Sequence, residues 1–135
     1  MADAFNFELV SPERLLLSEK VTEVVIPATL GEMTVLANHA PTMTTIKPGV
    51  VTVKSAAGQE AKYVVFGGFA DILPTGCTVL AESALPLSDV TRETLQARIE
   101  AARSDAGAAT DHEHKTKLEE YLSQLTELNG AILPA

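Results

Sequence analysis

The hydrophobic pattern of this chain changes period once, at Pro86, and that change limits what the chain can fold into. Before it, from Phe5 to Ala84, short runs rich in β-branched residues are spaced by Gly, Pro, Asn and Ser. Phe5, Phe7 and Leu9 alternate with Asn6 and Glu8, the period of two that gathers apolar side chains on one face of a strand. Strands are expected near residues 5–10, 14–18, 21–27, 33–37, 44–54, 61–66, 69–73 and 78–83. Turn chemistry separates several of them, at Ala57-Gly58 and at Pro74-Thr75-Gly76. Many short strands without intervening helices indicate a β-sandwich or barrel.

After Pro86 the apolar spacing becomes three to four. Leu95, Ile99, Ala102 and Ala106 predict a first helix over 89–106, with Gly107 as its stop. Thr110 with Glu113 forms a capping-box pattern, and Leu118, Tyr121, Leu122, Leu125 and Leu128 predict a second helix ending near Gly130. The linker Gly107-Ala108-Ala109-Thr110 is short enough to make the two helices antiparallel neighbours. The expected architecture is mainly β plus α: a β-sandwich domain over 1–86 followed by a C-terminal two-helix hairpin over 87–135. The hairpin carries few large apolar side chains for its length. It is expected to dock on the sandwich or on another protein, and an element with two docking surfaces can act as a switch.

Hydrophobic residues make up 46% of the chain but aromatic ones only 4%, so the core must be built from Val, Leu, Ile and Ala. The longest apolar runs, Val24-Val25-Ile26 and Tyr63-Val64-Val65-Phe66, fall far short of the roughly 20 residues of a membrane-spanning helix. The first residues hold neither a basic cluster nor an uninterrupted apolar stretch, which leads us to expect no secretory or transit signal and a cytoplasmic-side, bacterial protein. Cys77 is the only cysteine, which rules out an internal disulfide. The net charge of −8 divides evenly: residues 1–86 carry five Lys and Arg against nine Asp and Glu, as do residues 87–135. Neutralising a nucleic-acid backbone calls for the opposite sign, so no nucleic-acid partner is expected.

Catalytic constellations are hard to find. Gly67-Gly68 lacks the remaining glycines and the Lys-Ser/Thr pair of a phosphate loop and reads as a tight bend. Cys77 reads as a small packing residue. His112 and His114, in Asp111-His112-Glu113-His114, point about 200° apart on a helix and diverge, so no metal site is expected. His39, in Asn38-His39-Ala40-Pro41, reads as holding a loop through backbone hydrogen bonds. No nucleophile with a base and an orienting acid can be assembled, and no cofactor is expected.

The segment GEMTVLANHAPTMTTIKPG, from Gly31 to Gly49, resembles the signature region of the F-type ATP synthase epsilon subunit family. The resemblance rests on His39-Ala40-Pro41 at this distance from Gly31, then Ile46-Lys47-Pro48-Gly49. Phe7 to Pro12 (FELVSP), Gly67-Gly68-Phe69 and Val79 to Ala84 (VLAESA) lie at the family's spacing. It covers residues 5 to about 86 well, and the helical tail in length and layout only. What it implies is a ten-strand β-sandwich plus a helical hairpin, acting without catalysis in the central rotor of a proton-translocating ATP synthase. The implied partners are the gamma subunit and the ring of c subunits, with alpha and beta reached through the hairpin. The implied location is peripheral, on the cytoplasmic face of the bacterial inner membrane, without insertion into it. Glu32 aligns with a family acid that contacts polar loops of the c ring, and His39 is expected near the same end.

The chain departs from the family in two places. Family members whose tail inhibits ATP hydrolysis carry many basic residues on the second helix. Here residues 111–129 hold only Lys115 and Lys117 against Asp111, Glu113, Glu119, Glu120 and Glu127, two against five, a net −3. Other members bind ATP through Ile or Leu, Asp, two residues, Arg and Ala at the start of the first helix. This chain keeps Asp89 and Arg92 but has Ser88 for the apolar residue and Glu93 for the Ala. ATP sensing by a hairpin that folds around the nucleotide is therefore the alternative function. A carboxylate beside a triphosphate opposes binding. Calorimetric titration of the chain with ATP should find millimolar affinity or none, and micromolar binding would favour the sensor.

Overall fold

A computed structural model describes residues 3–132 of the chain. It forms two compact units, Met1–Leu87 and Ser88–Ala135. The first holds seven strands: β1 (Phe5–Val10), β2 (Leu15–Ala28), β3 (Gly31–Val35), β4 (Thr42–Ser55), β5 (Glu60–Leu73), β6 (Gly76–Ala81) and β7 (Ala84–Pro86). The strand order is β1-β6-β5-β4-β2-β3, with β7 on β5. Because β1 pairs antiparallel with β2 and parallel with β6, the sheet closes on itself through β1.

The expected alternation in β1 holds: Phe5, Phe7 and Leu9 are buried while Asn6 and Glu8 are exposed. They join Val21, Val24 and Ile26 of β2, Val51 and Val53 of β4, Ile72 of β5 and Val79 of β6 in one core, where Phe5 and Phe7 correct the expectation of a core built from Val, Leu, Ile and Ala alone. Cys77 lies in that core as a small packing residue.

The count of seven corrects the ten strands that the resemblance implies. Three strands, β2, β4 and β5, are each 14 residues long, and β2 and β5 change partners part-way instead of ending. The first half of β2 pairs with β1 through Asn6 opposite Lys20 and Phe7 opposite Glu19, so the break expected near residues 19–20 does not occur. Its second half pairs with β3 and β4. Likewise β5 runs through Gly67-Gly68 without interruption, pairing first with β7 and then with β6. The two glycines do bend the chain, with φ of 105° and 139°, but inside a strand and not between two. A Cβ on Gly68 would strike the Leu80 carbonyl oxygen and approach Ala81 Cα to 2.9 Å, so only glycine lets β5 and β6 come this close. A similar corner joins β2 to β4, where a Cβ on Gly49 would come within 2.5 Å of Pro27 Cβ. The three-residue strand β7 was not expected, because Leu85-Pro86 has no alternation to read.

The second unit opens with a 3-10 turn (Leu87–Asp89) and continues as α1 (Arg92–Ala108) and α2 (His112–Ile132). Thr91 caps α1, its Oγ1 accepting from the Thr94 N–H at 3.1 Å, so this helix starts three residues later than the periodicity suggests. Gly107 lies inside α1 and does not stop it; the helix ends at Ala108, with extended backbone at Ala109. Asp111 replaces Thr110 as the cap of α2: its Oδ2 accepts the His114 N–H at 3.0 Å. A carboxylate at this position also complements the positive end of the helix dipole, which a hydroxyl cannot. Leu95, Ile99, Ala102 and Ala106 of α1 are buried as expected; of the expected α2 stripe, Leu125 and Leu128 are buried, while Leu118, Tyr121 and Leu122 are half-buried.

The bend at Gly68 can be tested. Gly68→Ala adds both a left-handed backbone strain and a collision with β6, and should cost about 2–3 kcal/mol. Gly58→Ala, in a turn where the methyl meets nothing, should cost only about 1 kcal/mol. Urea midpoints of the two variants, read at constant slope, give the comparison.

Candidate functional site

The thiol of Cys77 is pushed up to about 12 by burial and, secondarily, by the Asp71 charge, which leaves it protonated and unreactive at neutral pH. Among the described residues no three His, Cys, Asp or Glu side chains converge as metal ligands.

Two surface features remain. The first surrounds β3. A two-residue turn, Thr29-Leu30, joins β2 to β3, and it is pinned to β4: the Thr29 N–H donates to the Thr45 carbonyl at 3.0 Å, and the two hydroxyls lie 2.6 Å apart. Leu30 at the tip is fully exposed, and Glu32 follows on β3 with its side chain in solvent. Glu32 is thus a charge presented on a rigid hairpin. His39 lies in the loop after β3, half-buried, with Nδ1 2.8 Å from the Ala40 carbonyl, which also accepts from the Thr42 hydroxyl at 3.0 Å. The loop is tied to the β5–β6 turn where the Asn38 N–H donates to the Pro74 carbonyl at 3.0 Å. Asn38 takes a φ of 64°, the left-handed conformation that Asn tolerates better than most residues. His39 therefore does have the backbone contact expected of it. Glu32 and His39 are carried by different segments, and no hydrogen bond joins them.

The second feature was missed in the sequence. On the outward side of β5 and β6, Phe69 stands directly opposite Leu80, and both are about half exposed, at 54% and 50%. Val10 pairs with Leu80 from β1, and Met43 on β4 is 72% exposed. Between the β1–β2 turn and this pair lies a hollow of about 280 Å³ lined by Val10, Pro12, Phe69 and Leu80 among others. The signal was available: β5 reads Phe69-Ala70-Asp71-Ile72-Leu73, apolar on both parities, although one face must meet solvent or a partner. Exposed aromatic and aliphatic side chains on neighbouring strands are the composition of a protein-binding surface.

In the second unit, Asp89 sits in the 3-10 turn and Arg92 opens α1, both exposed. Thr91 between them is occupied in capping the helix.

A family model described as ATP synthase, Delta/Epsilon chain, beta-sandwich domain matches residues 4–87, the whole closed sheet. The chain belongs to this family. Two curated relatives are named ATP synthase epsilon chain: one from Rhizobium johnstonii is 69% identical over 132 residues, 98% of each chain. The other, from Agrobacterium fabrum, is 68% identical over 136 residues and spans both chains completely. Among solved structures, a chain of the Euglena gracilis mitochondrial ATP synthase (OSCP/F1/c-ring) is 27% identical. It superposes with a TM-score of 0.73, covering 96% of this chain and 81% of that one. A chain of the Tetrahymena thermophila mitochondrial ATP synthase central stalk and c-ring is similar in fold, with a TM-score of 0.61 at 11% identity, covering 93% and 96%. The family that the Gly31–Gly49 segment suggested is the family found.

Proposed function

We propose that this chain is the epsilon subunit of a bacterial F-type ATP synthase, a non-catalytic part of the central stalk that turns with the rotor. The full-length identity of 69% to an ATP synthase epsilon chain carries this reading. No helix of the described residues is long and apolar enough to cross a membrane. The protein would act peripherally, on the cytoplasmic face of the inner membrane.

Division of labour follows from the two surface features. The outward face around Phe69 and Leu80 binds the gamma subunit, since apolar burial supplies affinity without depending on charge. Glu32, beside the exposed Leu30 tip, meets polar loops of the c ring, with His39 fixing the neighbouring loop. An exposed ion pair there contributes only about 0–1 kcal/mol, so Glu32 orients the contact more than it strengthens it. Proton flow would turn the c ring, and this domain and gamma would turn with it. What the mechanism asks of the chain is stiffness, which a closed sheet with an apolar core provides.

The regulatory reading is less favoured. Residues 111–129 carry two Lys against five acids, a charge that repels an acidic segment of a beta subunit. Asp89 and Arg92 remain of the nucleotide pattern, but Glu93 stands exposed beside them in the first turn of α1.

Two outcomes are expected in the assembled enzyme. Phe69→Glu together with Leu80→Glu should abolish co-purification with gamma while leaving the circular dichroism of the chain unchanged; retained gamma would remove this face from the interface. Deleting residues 87–135 should change the rate of ATP hydrolysis by less than about twofold, because the like-charged hairpin brakes weakly. A several-fold rise would reverse that assignment.

A further inference from the structure

The outer edge of β3 is an unpaired strand edge. β3 hydrogen-bonds to β2 alone, and among the described residues no other strand pairs with it. Which of its backbone groups face outward follows from the register. Pro27 stands opposite Glu32 and has no N–H to give, so that pair is of the non-hydrogen-bonded type. The N–H and C=O of Glu32 therefore point away from β2, and by alternation so do those of Thr34. Both side chains are exposed as well. The other edge strand of this sheet, β7, is three residues long and ends in Pro86, two devices that discourage pairing. β3 contains neither Pro nor Lys.

This edge is self-complementary. In an antiparallel pairing of two copies about a two-fold axis at Met33, Glu32 falls opposite Thr34 of the second copy and Thr34 opposite its Glu32. Those are the two residues whose backbone groups face outward, so the register closes four hydrogen bonds. At each end of the pairing it also brings Leu30, in the β2–β3 turn, towards Leu36, just past β3, both exposed, at 102% and 51%. Sliding the axis to residue 32 would oppose two Glu32 carboxylates, and sliding it to residue 34 would set Glu32 against Leu36. Only the Met33 axis pairs the charges with hydroxyls and the leucines with each other.

We propose that the unassembled chain pairs with a second copy of itself through the β3 edge, in the two-fold register centred on Met33. The pairing is weak, because a five-residue strand offers little area. It is also opposed by the net charge of −8 on each copy. Added salt screens that repulsion, so self-association strengthens as ionic strength rises. A contact made through Glu32 with basic loops has the opposite salt dependence, so this pairing and the proposed c-ring contact can fail independently.

Sedimentation equilibrium of the full chain up to about millimolar concentration tests the register. The wild-type chain should show a monomer–dimer equilibrium that tightens with salt. Thr34→Lys places two ammonium groups opposite two Glu32 carboxylates and should tighten the dimer about fivefold. Thr34→Glu should loosen it by a similar factor, and Glu32→Lys combined with Thr34→Glu should restore it. All these positions are exposed, and circular dichroism checks each variant's fold. A chain that stays monomeric at every concentration, with Thr34→Lys monomeric too, overturns the proposal. So does a dimer equally tight in all variants, which would lie elsewhere on the surface.

Discussion

The first unit depends on one ladder that bends without breaking. β4 and β5 stay in a single register from Thr42 opposite Ile72 to Lys54 opposite Glu60, and that ladder serves both ends of the closed sheet. A ladder of this length cannot stay flat and still let β1 reach both β2 and β6. The positive φ of Gly67 and Gly68 bends β5, and on β4 the missing side chain of Gly49 leaves room for Pro27. Gly68 matters most, because the backbone of β6 occupies the place where its side chain would be. With the bend in place, Val51 and Val53 from one half of the ladder and Ala70 and Ile72 from the other line the same core.

A closed sheet of this kind is a poor switch and a good handle. Its core is apolar and its buried side-chain polar atoms all have partners among the described residues, so no half-satisfied network invites rearrangement. Its loops are short and cross-tied, Thr29 to Thr45 and Asn38 to Pro74. Force applied at one loop is therefore transmitted through the sheet and is not absorbed by local motion. That property suits the place in a rotor that the full-length likeness to ATP synthase epsilon chains supports.

How much of this was legible beforehand differs by element. The inward face of β1 and the buried stripe of α1 were readable because each has one period and one solvent-facing side. The long strands were cut too often, because Gly67-Gly68 and the polar stretch Ser18-Glu19-Lys20 signal a turn locally while tertiary pairing keeps them in a strand. β7 was invisible, being three residues with a proline. At the start of α2, Thr110 and Asp111 compete for the cap, and the carboxylate wins by its charge on the helix dipole. Glu32 was singled out by resemblance alone, whereas His39 was also read from its place before Ala40-Pro41 as a loop-holding residue, and its Nδ1 does lie 2.8 Å from the Ala40 carbonyl. Phe69 and Leu80 were overlooked for the opposite reason, since an apolar residue in a strand is assumed to face inward until the register is known.

That oversight bears on how affinity and alignment are divided between the two surface features. Fully burying a Phe or Leu side chain contributes about 1.5–3 kcal/mol, and a half-exposed one still has a part of that left to gain. An exposed carboxylate such as Glu32 gains at most about 1 kcal/mol from a partner, and less as salt rises. In the proposed division of labour Glu32 would therefore be the weaker attachment and the Phe69–Leu80 pair the stronger. In that proposed assembly the subunit would be held by apolar contact at every ionic strength, while the charged hairpin at β3 would set its angle to its partner. Loss of Glu32 would then alter how rotation is coupled without releasing the subunit, whereas loss of the Phe69–Leu80 face would release it.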